Sequence, residues 1–296
     1  MLIGIAIAFL NVLLSALVKR DFRTRVSNVT GLYIAAQGAV TAGGAAAMIP
    51  LAQIARDGWR VALATWAVLA IVTLAVTVRW LRHRPGAEDG VDERHISTFR
   101  SPWKTRLGWQ ISFFMGLQSM IFFILITWLP SVQISRGVSE AAAALQISIF
   151  LMVGVIASLG TGAVLDRASS QRAVAVAGSL VVTAACAGFA FIPAADLLWV
   201  ILAATGCGSL IVTALSLFSL RTEHHTQAGS LSGMAQSIGY ALSAIGPVGF
   251  GALHDVSGGW TVPLVATAAL GLPMILLALP AGGDRYIGRH PLPLTE

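Results

Sequence analysis

Neutral amides, phenols and hydroxyls recur at four-residue spacing inside long apolar stretches of this chain. Asn11 and Ser15 make one row, Tyr33, Gln37 and Thr41 a second, and Thr205, Ser209 and Thr213 a third. Four-residue spacing puts side chains on one face of a helix. Gln110, Phe114, Leu117 and Gln118 also fall on one side of such a helix. An amide in hydrocarbon needs a partner or a wet cavity. A small polar or anionic solute supplies one, with Trp128 and Tyr240 as apolar walls beside the donors. Gln146 and Gln236 are further candidates of the same kind. The bland alternative is contact between helices, since Ser and Thr commonly bond their own backbone or a neighbouring helix.

Other chemistries lack their residues. No Asp, Glu, Lys, Arg or His occupies the middle of any apolar stretch. Ionisable groups inside a membrane mark proton relays and ion paths, so a coupling proton, kept as a candidate partner, has no evident carrier. Glu223, His224 and His225 lie together in a loop and read as solvated residues. There is no His-Glu metal motif, no nucleophile motif and no acid pair facing a common pocket, so neither an enzyme nor a metal or cofactor site is expected. Cys186 and Cys207 lie within apolar stretches and read as small packing residues.

Nine apolar stretches must position the candidate residues: 2–18, 29–54, 59–80, 107–132, 141–165, 173–192, 197–220, 227–253 and 260–279. Each is near the ~20 residues that a helix needs to cross the hydrocarbon. The chain is 56% hydrophobic and 11% charged, far below the ~25% charged residues of soluble domains. An all-α polytopic membrane protein with nine transmembrane helices is the expected fold class. The net charge of +6 is spread over loops at membrane edges, which argues against a nucleic-acid partner. Sixteen basic residues, among them Lys19, Arg20, Arg82, Arg106, Arg167 and Arg221, fall on one side of the membrane. Only Arg56, Arg60 and Arg136 fall on the other. The positive-inside rule puts the rich side in the cytoplasm, the N-terminus outside and the C-terminus inside a plasma membrane. The first stretch lacks a basic leader and a cleavage site, so it reads as a retained span and not a signal peptide.

The one long polar segment, with Pro85, Gly86 and Gly90 among its charges, reads as a cytoplasmic linker. The expected organisation is a three-helix unit over 1–81, a linker over 82–106, a six-helix bundle over 107–281 and a cytoplasmic tail over 282–296. Many transporters join two six-helix bundles by one cytoplasmic loop. On that plan three helices, ~90 residues with loops, are absent from the front. Ala235, Gly239, Ser243 and Pro247 form a small-residue row on the eighth stretch, and Gly246-Pro247 a kink. The fifth and eighth stretches should pack closely through such residues, together or on equivalent partners.

Several segments resemble the major facilitator superfamily, and within it the branch of bacterial cyanate and nitroimidazole permeases. They are Asn11–Phe22, Thr30–Tyr33, Met115–Ser119, Thr127–Pro130 and above all Leu231–Tyr240, continued by Gly246-Pro247 and Gly251–Asp255. The run Gly162–Arg172 is similar to the superfamily's cytoplasmic-loop motif at Gly162, Asp166 and Arg167, with Ser169 and Ser170 where glycine and a basic residue are usual. An acid at a helix end can pair with arginine or with a helix N-terminus, so these three residues are candidates for a conformational latch. The prolines that the branch carries near Ser15 and Arg23 are missing here. The resemblance implies alternating-access transport of a cyanate-like anion or a small nitrogen heterocycle. The alternative is a non-transporting fragment or a structural or regulatory membrane protein.

Overall fold

The computed structural model describes residues 2–22, 24–52, 58–83 and 100–288. Among them are nine α-helices: α1 (Leu2–Asp21), α2 (Val26–Ala52), α3 (Gly58–His83), α4 (Arg106–Ser135), α5 (Glu140–Arg167), α6 (Arg172–Phe191), α7 (Asp196–Leu220), α8 (His225–Ser257) and α9 (Thr261–Ala281). Every expected apolar stretch becomes one helix. Most helices run a few residues past the apolar run, because caps and not hydropathy set their ends. Thr105 starts α4 by accepting Gly108 N–H at 3.0 Å. Ser139 starts α5 by accepting Ala142 N–H at 3.3 Å, with Glu140 in the first turn. Gly258, at φ 69°, ends α8 in the left-handed conformation that glycine adopts at no steric cost. The linker expected at 82–106 lies, over residues 84–99, outside the described residues, and so does 289–296 of the tail.

Five helices, α4 to α7 and α9, are long and apolar enough to cross a membrane by length and composition. The protein is an all-α, polytopic membrane protein. Its outer surface agrees: Val248, Leu276, Met152, Ile156 and Phe191 are exposed although large and apolar. In water such a surface invites aggregation, whereas in a bilayer it faces lipid.

The described chain packs as two units, Met1–Ala35 with Phe99–Glu296, and Ala36–Thr98. In the first, Phe114, Phe150, Phe189 and Phe218 are fully buried in a common core. Helix α8 lies along α4, α5 along α7, and α6 along both α9 and α7, while α1 rests on α8 and α7. The fifth and eighth helices therefore do not meet through their small residues. They take the equivalent partners: Gly239 faces Met115 and Gly116 of α4, and Ser158 Oγ of α5 donates to Gly208 O of α7 at 3.0 Å. The second unit holds the rest of α2 and α3, with the ring of Trp66 against Gly44.

Hydroxyls within the helices mostly turn back on their own backbone. Thr205 donates to Ile201 O, Thr213 to Ser209 O and Thr41 to Gln37 O, each at 2.8 Å. The threonines of these rows are thus satisfied locally, as the bland reading expects.

Candidate functional site

The face that α1 turns to α8 is lined by a continuous polar row. Asn11 Nδ2 donates to Tyr240 Oη at 2.9 Å, and Tyr240 Oη donates to Gln236 Oε1 at 3.0 Å. Gln236 Nε2 donates to Ser232 Oγ at 2.7 Å, and Ser232 Oγ to Ser15 Oγ at 3.2 Å. The geometry follows from the helices. Asn11 and Ser15 are one turn apart on α1, and Ser232, Gln236 and Tyr240 are successive turns of α8. Two such rows laid side by side pair residue by residue. Tyr33 lies near Tyr240 and packs against the core. The row runs from an accessible end to a buried one, since Tyr240 is 39% exposed and Gln236 only 3%.

Of the nine candidate pathway residues, Asn11, Gln236 and Tyr240 are hydrogen-bonded in this row, with Tyr33 near Tyr240. Gln118, on α4, is buried, and its Nε2 lies 3.2 Å from Met115 Sδ and 2.6 Å from Ser119 Oγ on its own helix. Its Oε1 accepts no hydrogen bond among the described residues. Gln110 is part-exposed on α4 and makes no side-chain hydrogen bond among them. Gln146 lies apart from the row and accepts from Gln133 Nε2 at 2.7 Å. Trp128 is held elsewhere: Nε1 donates to Pro247 O at 2.8 Å, and the ring packs on Phe250 and Trp260. It braces the carbonyl of the proline inside α8. Gln37 belongs to the second unit, where its side chain is exposed.

The latch candidates divide. Asp166, at the end of α5, accepts Ser27 N–H on Oδ1 at 2.8 Å and Asn28 N–H on Oδ2 at 2.9 Å. These are orphan donors in the first turn of α2, where the helix dipole favours an anion. Gly162, one turn earlier, permits the crossing: a Cβ there would stand 2.7 Å from Ser27 O. Arg167 is exposed and makes no ion pair among the described residues.

Three features escaped the sequence reading. Ser232 was visible only as part of a family-like run, although its spacing from Gln236 and Tyr240 is the signal that finds it. Gln133 is wholly buried with Oε1 unpartnered, near the Arg136–Asp196 pair at 3.4 Å. Arg221, read as a loop charge, is buried, and donates to Gln171 Oε1, Ala281 O and Gly282 O. Burial holds its guanidinium pKa below the ordinary arginine value, against the opposing pull of Tyr286 and Asp284. Gln227 Nε2 adds bonds to Arg100 O and Ile287 O, so residues 282–287 lie across the ends of α6 to α8.

Comparison with known proteins gives this arrangement its relatives. A family model described as Major Facilitator Superfamily matches residues 1–247. The chain is 36% identical over 285 residues to the 2-nitroimidazole transporter of Escherichia coli, covering 96% of this chain and 72% of that protein. It is 25% identical over 279 residues to the cyanate transport protein CynX of Escherichia coli, covering 93% and 71%. Among solved structures, the Escherichia coli fucose:proton symporter FucP is similar in fold, with a TM-score of 0.68 at 13% identity over 91% of this chain and 72% of that one.

Proposed function

The chain belongs to the major facilitator superfamily, a family of transporters and not of enzymes, and on that premise we propose that it moves a small polar or anionic solute by alternating access, taking the solute at the Asn11–Tyr240–Gln236 face. One observation carries the reading: the hydrogen-bonded row between α1 and α8, in which a part-exposed phenol, Tyr240, leads to a buried amide, Gln236. Each link is a neutral donor or acceptor that a solute can replace without stranding a charge. Relatives named for 2-nitroimidazole and cyanate transport support a nitrogen heterocycle or a cyanate-like anion as the solute class. Gln118 Oε1 adds an acceptor for a heterocycle N–H, and Gln110 a further amide on the same helix.

Alternating access needs contacts that form in one state and break in another. Asp166 on the first turn of α2 is such a contact, with Gly162 as the crossing point that lets it form. In the proposed orientation, which the distribution of basic residues supports, these groups face the cytoplasm. A coupling proton, if one is used, has no mid-span carboxylate to ride on in this chain.

The test is uptake of labelled 2-nitroimidazole and of cyanate by vesicles holding the chain. Gln236→Leu is expected to raise KM roughly ten- to a hundredfold, the cost of one polar partner lost in a dry site. Unchanged KM in a folded Gln236→Leu protein moves the site elsewhere. The second reading, a membrane protein that holds helices together without carrying a solute, rests on the mutual satisfaction of Asn11, Tyr240, Gln236 and Ser232. It expects no uptake of either solute by the folded chain.

A further inference from the structure

Lys19 lies one turn past Ser15, on the same row of α1 as Asn11. Its ammonium donates to Ser219 O at 2.7 Å and to Thr222 O at 2.9 Å. Ser219 lies in the last turn of α7 and Thr222 two residues past its end, where the helix dipole is negative. Ser219 Oγ donates in turn to Ser15 O at 3.1 Å, so α1 is held to the end of α7 by a charge and a hydroxyl. Asp166 makes the converse contact, an acid from the end of α5 on the N-terminus of α2. The two run in opposite directions between residues 1–35 and the six helices α4 to α9: base to C-terminus from one side, acid to N-terminus from the other.

We propose that Lys19 is a second conformational latch, which caps α7 when the Lys19 end of α1 is closed against the six-helix bundle and lets go when it opens. The inference rests on the alternating-access reading and adds to it a residue that reads from sequence only as a topological charge. The chemistry suits a reversible contact. The two carbonyls hold the ammonium through partial charges, and an ammonium released from them reaches water on its four-carbon stem.

The experiment reads closure without a solute. A Cβ built on Gly229 of α8 would lie 3.5 Å from the Cβ of Ala16 of α1, within the range for a disulfide. Ala16→Cys with Gly229→Cys, in a background with Cys186→Ala and Cys207→Ala, should bridge under mild oxidation in membrane vesicles. Lys19→Met keeps the stem and deletes the charge. It is expected to lower the closed-to-open ratio roughly tenfold, seen as severalfold slower bridging. Lys19→Arg should bridge near the parent rate, and Asp166→Asn should also slow it. Should Lys19→Met fail to accumulate as folded protein, Lys19→Gln gives the same comparison. Slowing by Asp166→Asn but not by Lys19→Met overturns the Lys19 latch and leaves the alternating-access reading standing. Rates unchanged by either substitution overturn both.

Discussion

An amide buried in hydrocarbon costs free energy unless both its oxygen and its nitrogen find partners, and two mid-helix glutamines meet this demand differently. Gln236 uses both ends, accepting from Tyr240 and donating to Ser232. Gln118 satisfies its nitrogen within its own helix and leaves Oε1 available. A solute N–H can occupy that oxygen, whereas cyanate has no N–H to offer. Gln118→Leu should therefore raise KM for 2-nitroimidazole uptake about tenfold and change cyanate uptake little. Equal effects on the two solutes, or none, would assign Gln118 to packing. The helix hydroxyls that bond their own backbone predict the opposite kind of result. Thr205→Val should change stability by no more than the ~0.5 kcal/mol typical of surface changes, so the detergent melting midpoint should move by no more than about two degrees. A drop of several degrees would show that its hydroxyl serves a second partner.

At the scale of elements, small residues decide which helices touch. A side chain at Gly162 would collide with the backbone of α2 at Ser27 and Asn28, and backbone cannot swing aside as a flexible side chain can. Gly162→Leu should separate α2 from α5 and break both bonds to Asp166, with overpacking that costs ~1–3 kcal/mol. Folded yield and Tm should fall well below those of Leu276→Ala, a change on an exposed face. Gly239→Leu makes a second such comparison at the α4–α8 contact, where Met115 and Gly116 stand close. Here Met115 is flexible, so the expected loss is smaller than for Gly162→Leu. Equal Tm for Gly162→Leu and Leu276→Ala in detergent would contradict the close crossing. Asp166→Asn keeps an acceptor and loses the charge on the dipole of α2, a change worth ~1 kcal/mol. It should slow transport turnover more than it raises KM, because Asp166 lies outside the proposed solute face.

For the molecule as a whole, the asymmetry of basic residues predicts a single orientation. Ser169 and Ser257 are both exposed, one after α5 and the other at the end of α8. Ser169→Cys and Ser257→Cys, each in a background without Cys186 and Cys207, should react with an impermeant thiol reagent from opposite sides, Ser257→Cys from outside. Reaction of both from one side of sealed cells contradicts the alternation of helices. What the sequence by itself determined was the set of spans and their class. All nine apolar stretches are helices, because spanning demands an unbroken apolar run with its backbone bonded within the segment, and a run of consecutive residues is readable in one dimension. Gly162 and Asp166 were legible for a similar reason, since a motif at a helix end is local. Partner choice was not. Asn11 and Tyr240 are 229 residues apart, and neither row announces which other row it will face. Trp128 and Gln118 carry the same signals as Tyr240 and Gln236, yet one braces Pro247 and the other bonds within its own turn. Lys19 reads as a loop charge until the fold brings the carbonyls of Ser219 and Thr222 within 3 Å of it. Only the tertiary structure decided these, because they depend on which helix faces pack together, and that is settled by the fit of small residues between distant segments and not by the polarity of any one of them.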